Sequence, residues 1–345
     1  MDSTPAHCLE GRELPGGWTV TEKITRKQNS TGGKFSVGYR VANKDGKIAF
    51  LKALDFSAAN QFPDPLKKLQ EMLEAYNFER DVLEKCKNKK LTRVMTPLMD
   101  GSIIIPGFGP FSPVHYLIFE MASGDIRDVF SDFDKFDLAW CLRSLHNGAV
   151  GLQQLHKIGV AHQDLKPSNI LVISKDDHKI GDLGRASDKQ IPSQNDEIAV
   201  PGDRSYAPPD LWYSDSGVSG FEKRFLADLY LLGSLFFFHF LGVSAMAALI
   251  SKLQGETLGC TNFKDDLPYF QHAFEETILD LTAKVEKVAG ESSYEIMEIV
   301  RQLCDPDPNN RGDPRWKGSL VPRFDLQRYI SILDRLSRKI EMKMR

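Results

Sequence analysis

A chain of 345 residues, 41% hydrophobic and 26% charged, has the make-up of a globular protein too long for one small domain, which excludes the fibrous and disordered classes. Its 44 basic and 47 acidic residues leave a formal charge of -3, so no global field draws it to nucleic acid or to an anionic membrane. Five cysteines (Cys8, Cys86, Cys141, Cys260 and Cys304) are scattered without a C-x-x-C pair, a pattern that predicts reduced thiols in a cytoplasmic compartment and implies no zinc site.

Residues 1–17 lack the basic start and apolar core of a secretory signal and are expected to form a short, disordered N-terminal extension. From Trp18 the residues alternate as a strand to Ile24, and a glycine-bearing turn follows around Gly32 and Gly33 before a second strand. Such a turn is either a plain hairpin or a lid whose backbone N–H groups approach phosphate oxygens. The strand Lys47 to Leu54 places Lys52 on one face with Ile48, Phe50 and Leu54 by its period of two. A lysine among apolar neighbours needs an anionic partner or must snorkel to water. Asp64-Pro65 reads as a helix cap with proline at the first helical position, and the helix runs toward Cys86. On it Met72, Tyr76, Glu79, Leu83 and Cys86 recur every three or four residues, so Glu79 lies in an apolar stripe and is the expected partner of Lys52. Lys87 to Lys90 read as the solvated end of that helix.

Two more strands are predicted at Val94 to Ile105 and His115 to Met121, and the second gives way to the polar link Glu120-Met-Ala-Ser-Gly-Asp125. Asp125 is placed to cap a helix beginning at Ile126. A helix over Phe136 to Ile158 carries Leu138, Leu142, Leu145, Ala149, Leu152 and Leu155 on one face and ends near Gly159. It delivers the chain to Val160-Ala-His-Gln-Asp-Leu-Lys-Pro-Ser-Asn-Ile-Leu-Val172, which gathers His162, Asp164, Lys166 and Asn169 between apolar edges, and Asp182-Leu-Gly184 follows shortly after. Downstream come the block Gly202 to Asp210, an apolar run from Phe225 to Ile250 broken by Asp228 and His239, the turn Asp305 to Arg311, and an amphipathic helix over Phe324 to Arg345. The run is long enough to span a membrane, and a helix apolar all round is either a membrane span or deep core.

These motifs together resemble the eukaryotic-type (Hanks-type) protein kinase family, whose catalytic loop reads H-R-D-x-K-x-x-N and whose metal loop reads D-F-G. The resemblance covers roughly Trp18 to Leu336. It implies an α+β, bilobal protein kinase-like fold, with a small β-rich N-lobe over 18–121 and a larger helical C-lobe over 122–345 that includes the C-terminal helix. It also implies a serine/threonine-directed enzyme using ATP and Mg2+ on a protein substrate, the chain itself included, with no nucleic acid or membrane partner. Carried over by position, Lys52 and Glu79 hold the α and β phosphates and Gly33 belongs to the lid. The backbones of Glu120 and Ala122 meet the adenine edge in front of Phe119, and Asp125 either touches the ribose or only caps its helix. Asp164 accepts the substrate hydroxyl proton, Lys166 neutralises the transferred phosphoryl group, and Asn169 and Asp182 hold Mg2+.

The resemblance has departures. Thr31 and Ser36 stand at glycine positions of the lid, Gly38 stands at the valine position, and Asp203 replaces the threonine that touches the catalytic loop. Gln163 replaces the arginine that in many members pairs with a phosphorylated activation loop, so activity independent of that phosphorylation is expected, with Ser187, Ser193 and Ser205 dispensable. Asp210 and Arg311 match a structural ion pair of the family, and Asp228 matches the aspartate that caps the catalytic-loop backbone, a match that favours deep core for the apolar run around it. Two rival readings remain, a pseudokinase scaffold suggested by the altered lid and a small-molecule kinase of the same fold.

Overall fold

In a computed structural model, residues 4–25, 35–131, 136–213, 218, 220–253, 262–316 and 320–344 are described. The chain divides into two compact units, one of residues 1–90 and 95–123, the other of residues 91–94 and 124–345. The first is β-rich and the second helical, so the fold is of the α+β, bilobal class. The boundary falls after Ser123. Residues 91–94 belong to the second unit because Val94 bridges Ile180 and the Ile180 N–H donates to the Arg93 carbonyl (2.9 Å).

The first unit holds β1 (Glu13–Leu14), β2 (Trp18–Lys23), β3 (Ser36–Asn43), β4 (Ile48–Leu54), α1 (Pro65–Asn88), β5 (Met99–Ile104) and β6 (Pro113–Glu120). The strands form one sheet in the order β1-β2-β3-β4-β6-β5, with every neighbouring pair antiparallel. The β3–β4 turn is set by Asn43, whose Oδ1 accepts the N–H groups of Asp45 (3.1 Å) and Lys47 (2.8 Å), and by the left-handed Gly46. Asp64 caps α1 by accepting the Lys67 N–H (3.0 Å), and Pro65 takes the first helical position, as the sequence predicts.

One expectation fails here. Residues 4–17 are not a disordered extension: Ala6 and Leu9 are fully buried with Leu14 against Val20, Tyr39, Val41 and Tyr116 of the sheet. The Tyr39 hydroxyl donates to the Ala6 carbonyl (2.8 Å), Thr4 donates to Asp55 (2.9 Å), and β1 pairs with β2. Burial pushes the Tyr39 phenol up to about 12. The N-terminal residues thus complete a core. In β4 the alternation is as predicted, with Ala49, Leu51 and Ala53 as its core face, whereas Ile48, on the Lys52 face, is 51% exposed. Periodicity sorts residues into two faces but does not say which one another segment will cover.

The second unit runs β7 (Gly124–Asp125), α2 (Ile126–Ser131), α3 (Leu138–Lys157), β8 (Val160–Ala161), β9 (Ile170–Ser174), β10 (Asp177–Ile180), β11 (Ser187–Asp188), α4 (Glu222–Leu241), α5 (Ala245–Lys252), α6 (Phe263–Ala289), α7 (Ser293–Cys304) and α8 (Gln327–Met344). Its short strands form two small sheets, β10-β9-β7 and β11-β8. Helix α3 is capped by Asp137, which accepts the Trp140 N–H (2.9 Å), and its apolar face is buried. Helix α8 lies along α3: Leu326 before it, together with its own Tyr329, Leu333 and Leu336, is fully buried, and Arg143 of α3 pairs with Asp334 (3.0 Å) and Glu341 (3.2 Å).

The apolar run read from the sequence is two helices. Helix α4 ends at Gly242, whose left-handed backbone (φ 76°) brings its N–H to the Phe238 carbonyl (2.9 Å), and Ser244 caps α5. Helix α4 is long and apolar enough to cross a membrane, and 78% of its most apolar stretch is buried inside the protein. A Cβ at Gly233 would come within 2.3 Å of Cys304 Sγ, so glycine is what lets α7 approach. Below it, Arg311 and Asp210, both fully buried, meet at 2.5 Å. Arg311 also donates to the Asp305 (2.7 Å) and Pro306 (2.9 Å) carbonyls and lies over the Tyr230 ring. Either charge alone would be costly at this depth, and the carbonyl partners offset the desolvation of the guanidinium.

Candidate functional site

The candidate residues fall into two groups, one in each unit. In the first unit, Lys52 of β4 donates to both carboxylate oxygens of Glu79 of α1, at 2.7 and 2.9 Å. The side chains are 20% and 9% exposed, so the pair is largely removed from water and holds a fixed geometry. Phe119, near the end of β6, is buried and lies across from Phe50 of β4. Glu120 ends that strand in register with Ala49, and Ala122 follows outside any strand. Gly33 lies outside the described residues.

In the second unit the loop after β8 is built around Asp228 of α4. Its Oδ2 accepts the His162 N–H (2.8 Å) and its Oδ1 the Gln163 N–H (2.7 Å), while the His156 ring stands 2.8 Å from Oδ2. A fully buried carboxylate thus fixes two consecutive peptide groups, in the role the sequence reading gave it. Gln163 is held with left-handed backbone (φ 62°), and so is Asp182 (φ 58°). Among the described residues only Lys90 shares this feature outside glycine, so two of three strained positions sit in the motif loops.

Asp164, Lys166 and Asn169 are brought together as the spacing predicts. The Asp164 carboxylate receives Lys166 Nζ (3.1 Å), the Asp203 N–H (2.8 Å) and Asn169 Nδ2 (3.3 Å). Asn169 Nδ2 also donates to the Asp164 carbonyl (2.7 Å), which turns the amide oxygen away from the carboxylate. The Gly181 N–H donates to the Asn169 carbonyl (2.8 Å), and the His162 ring stands 3.1 Å from the Gly181 carbonyl, so Asp182 is tied beside Asn169 through its neighbour. An amide oxygen and a carboxylate are hard donors of the type Mg2+ takes, and Mg2+ completes its shell with phosphate oxygens and water rather than a protein cage. The donor set therefore fits the ion.

Asp125 is engaged locally. Its Oδ1 accepts the N–H groups of Arg127 (2.8 Å) and Asp128 (3.3 Å), and its Oδ2 meets Arg127 Nη2 (2.7 Å). Of the two readings left open for it, the helix cap is the one with observed contacts. Hydrogen bonds to Asp125 push the Arg127 guanidinium up despite burial.

Sequence reasoning missed a polar network behind Gln163. The Gln163 amide donates to the Arg185 carbonyl (3.1 Å) and to Ser187 Oγ (2.9 Å), and its oxygen accepts Arg224 Nη1 (2.5 Å). Ser187 Oγ in turn donates to Asp196 Oδ1 (2.6 Å), Asp196 Oδ2 accepts the Ser193 N–H (2.8 Å), and Arg224 Nη2 donates to the Asp196 carbonyl (2.7 Å). Asn195 closes the circuit on the Gly184 (3.1 Å) and Ala186 (2.9 Å) carbonyls. Burial pushes the Arg224 guanidinium down, against the pull of Asp196, Glu197 and Asp228. Only Gln163 carried a signal of this network in the sequence, as a departure from the expected arginine. Ser187, expected to be dispensable, is fully buried inside it.

The block after this segment docks on the catalytic loop. A Cβ at Gly202 would come within 2.3 Å of the Gln163 carbonyl and 2.8 Å of Asp164 Oδ1, so only glycine allows the approach. Burial raises the Asp203 carboxyl, but hydrogen bonds from Ser205 and the charge of Lys166 outweigh it and hold the group below its ordinary range.

Comparison with known proteins gives the same outline. The family described as protein kinase domain matches residues 27–315. A probable serine/threonine-protein kinase of Dictyostelium discoideum is 24% identical over 272 residues, 76% of this chain and 48% of its own length. A second from the same organism is 27% identical over 210 residues, 59% of this chain and 42% of its own. A probable serine/threonine-protein kinase of Lactococcus lactis is 23% identical over 247 residues, 69% of this chain and 38% of its own. The chain spans less than half the length of each of these relatives.

Proposed function

Because the chain belongs to the protein kinase domain family, matched over residues 27–315, we propose that it transfers the γ-phosphoryl group of ATP to a serine or threonine hydroxyl of a protein. The observation that carries this reading is the constellation of Asp164, Lys166 and Asn169, held by one another and by Asp203. The Asp164 carboxylate orients the acceptor hydroxyl and takes its proton. Lys166 offsets negative charge on the group in flight. Lys52, fixed by Glu79, holds the nucleotide phosphates, and the backbones of Glu120 and Ala122 receive the adenine edge. Asn169 and Asp182 would hold Mg2+, which when bound neutralises phosphate charge. A cytoplasmic setting is supported by the scattered cysteines, which form no C-x-x-C pair. Incubating the purified protein with γ-labelled ATP, Mg2+ and generic protein acceptors should place label on serine or threonine, located by mass spectrometry. No label on any protein, the chain itself included, would remove the proposal. The altered lid sequence around Gly33 favours an ATP-free scaffold as the second reading, and loss of ATP binding in the same experiment would select it.

The network behind Gln163 supports activity without a phosphorylated activation loop, since Asp196 and Arg224 already tie residues 185–197 to the catalytic loop. Hydrogen bonds to a charged group contribute about 2 kcal/mol each, enough for about a 30-fold change in local opening. Arg224→Ala should therefore speed amide exchange across this segment by about that factor and lower transfer about tenfold, with the Lys52 unit unaffected. Arg224→Lys should not restore it, because one ammonium cannot span both acceptors. Unchanged exchange in Arg224→Ala would show that the network does not hold the segment.

A further inference from the structure

Asp203 is the one acidic side chain among the described residues that reaches Lys166 besides Asp164, and the reaction as described leaves it without a task. Its two carboxylate oxygens are divided. Oδ1 accepts the Ser205 N–H (3.0 Å) and Oγ–H (2.7 Å), while Oδ2 lies 3.5 Å from Lys166 Nζ. Its backbone N–H meanwhile donates to Asp164 Oδ1 (2.8 Å), so one residue touches both members of the Asp164–Lys166 pair. Gly202 fixes the register of this contact, because its backbone lies too close to the Gln163 carbonyl for any side chain. The Lys166 side chain is 12% exposed and that of Asp203 28%, so the charges are partly withdrawn from water and the contact is partly screened.

We propose that Asp203 is a positioning residue for phosphoryl transfer, holding the Lys166 ammonium between two carboxylates so that it has a single place when the acceptor hydroxyl and the phosphoryl group meet. The inference rests on the kinase reading above. A lysine has a long, flexible stem and three rotatable donors, and held by one carboxylate it sweeps an arc around it. A second carboxylate, itself clamped by Ser205, removes that freedom. An uncharged hydroxyl residue in this place would offer a hydrogen bond but no charge. The effect belongs to the chemical step, since neither Asp203 nor Lys166 is assigned to hold the nucleotide before transfer.

The test compares Asp203→Asn and Asp203→Glu in the full chain, with ATP, Mg2+ and a serine peptide. Asp203→Asn should lower kcat about tenfold with KM for ATP unchanged, and Asp203→Glu should recover most of the loss. In a Lys166→Met background, followed by single turnover, Asp203→Asn should cost nothing further. An equal loss in both backgrounds, or full activity in Asp203→Asn, overturns the proposal. If Asp203→Asn folds poorly by thermal melting, Ser205→Ala replaces it, loosening the clamp without changing charge, and should lower kcat by a smaller factor with the same dependence on Lys166. A readout free of turnover separates this inference from the kinase reading: labelling of Lys166 by acetyl N-hydroxysuccinimide ester, followed by peptide mass spectrometry. Asp203→Asn should label Lys166 about threefold faster with other lysines unchanged, and an unaltered rate overturns the contact. Faster labelling in a protein that transfers no phosphate would sink the kinase reading and leave the contact standing.

Discussion

Asp164→Asn should lower the rate of phosphoryl transfer about a thousandfold, close to 4 kcal/mol of transition-state stabilisation, while KM for ATP and Tm stay near wild type. The separation of effects follows from the contacts. Asparagine keeps an oxygen to accept the Asp203 N–H, and Lys166 keeps its contact with Asp203, so no buried charge is stranded. What the amide loses is basicity toward the acceptor proton and negative charge at the attacking oxygen. Glu79→Gln should show the opposite division: it unties Lys52, whose ammonium meets both Glu79 oxygens, and so raises KM for ATP more than it lowers kcat. Steady-state kinetics on both variants decide the matter. An Asp164→Asn protein within tenfold of wild type would mean that another group takes the proton.

The parts of this molecule legible in the sequence are those whose residue types are dictated by local geometry. Asp64-Pro65 starts a helix because a side-chain oxygen and a fixed φ are both needed there, and the structure has both. Asp164, Lys166 and Asn169 converge because a short loop leaves them no other arrangement. The opposite charges of Lys52 and Glu79, each on an otherwise apolar face, identified one another across 27 residues. The unreadable parts depend on which distant segment arrives. Nothing in Ala6 or Leu9 says that they will lie on the sheet, and nothing at the start of α4 distinguishes Arg224, which reaches Gln163 and Asp196, from Lys223 beside it. The choice of core face in β4 is unreadable for the same reason, because the N-terminal residues supply apolar partners for the Ala49 face. Asp203 read as a blemish in a motif and proves to be a contact of Lys166.

Lowering the pH from 8 to 5 should cost the second unit about 4 kcal/mol of stability, through His178 and His239. His239 of α4 is buried among Phe130, Trp140 and Phe238, and neither ring nitrogen has a hydrogen-bond partner among the described residues. Burial, with the charge of nearby His178, takes its pKa down to about 3. His178 of β10 stands edge-on to the Trp140 ring, with Nδ1 3.0 Å from the Asn147 amide, and burial together with Arg93 and Arg143 takes it down to about 4. Burial lowers His146 of α3 in the same direction. An unfolded chain binds a proton at each imidazole near pH 6.5, whereas the folded chain keeps them neutral. Stability from these groups is therefore complete above pH 6.5 and is lost as the pH falls toward 4 and 3. At pH 5 each of the two has lost about 2 kcal/mol, at about 1.4 kcal/mol per pH unit below 6.5. Carboxyl groups ordinarily titrate at about 4, below this window, so the histidines dominate the slope. Urea midpoints followed by tryptophan fluorescence from pH 8 to 5 should fall steadily, and His239→Leu, close in volume and unable to charge, should remove about half of the fall. A midpoint that does not move, or one that moves equally in His239→Leu, would mean that these rings accept protons in place and that the aromatic cluster opens to water without unfolding.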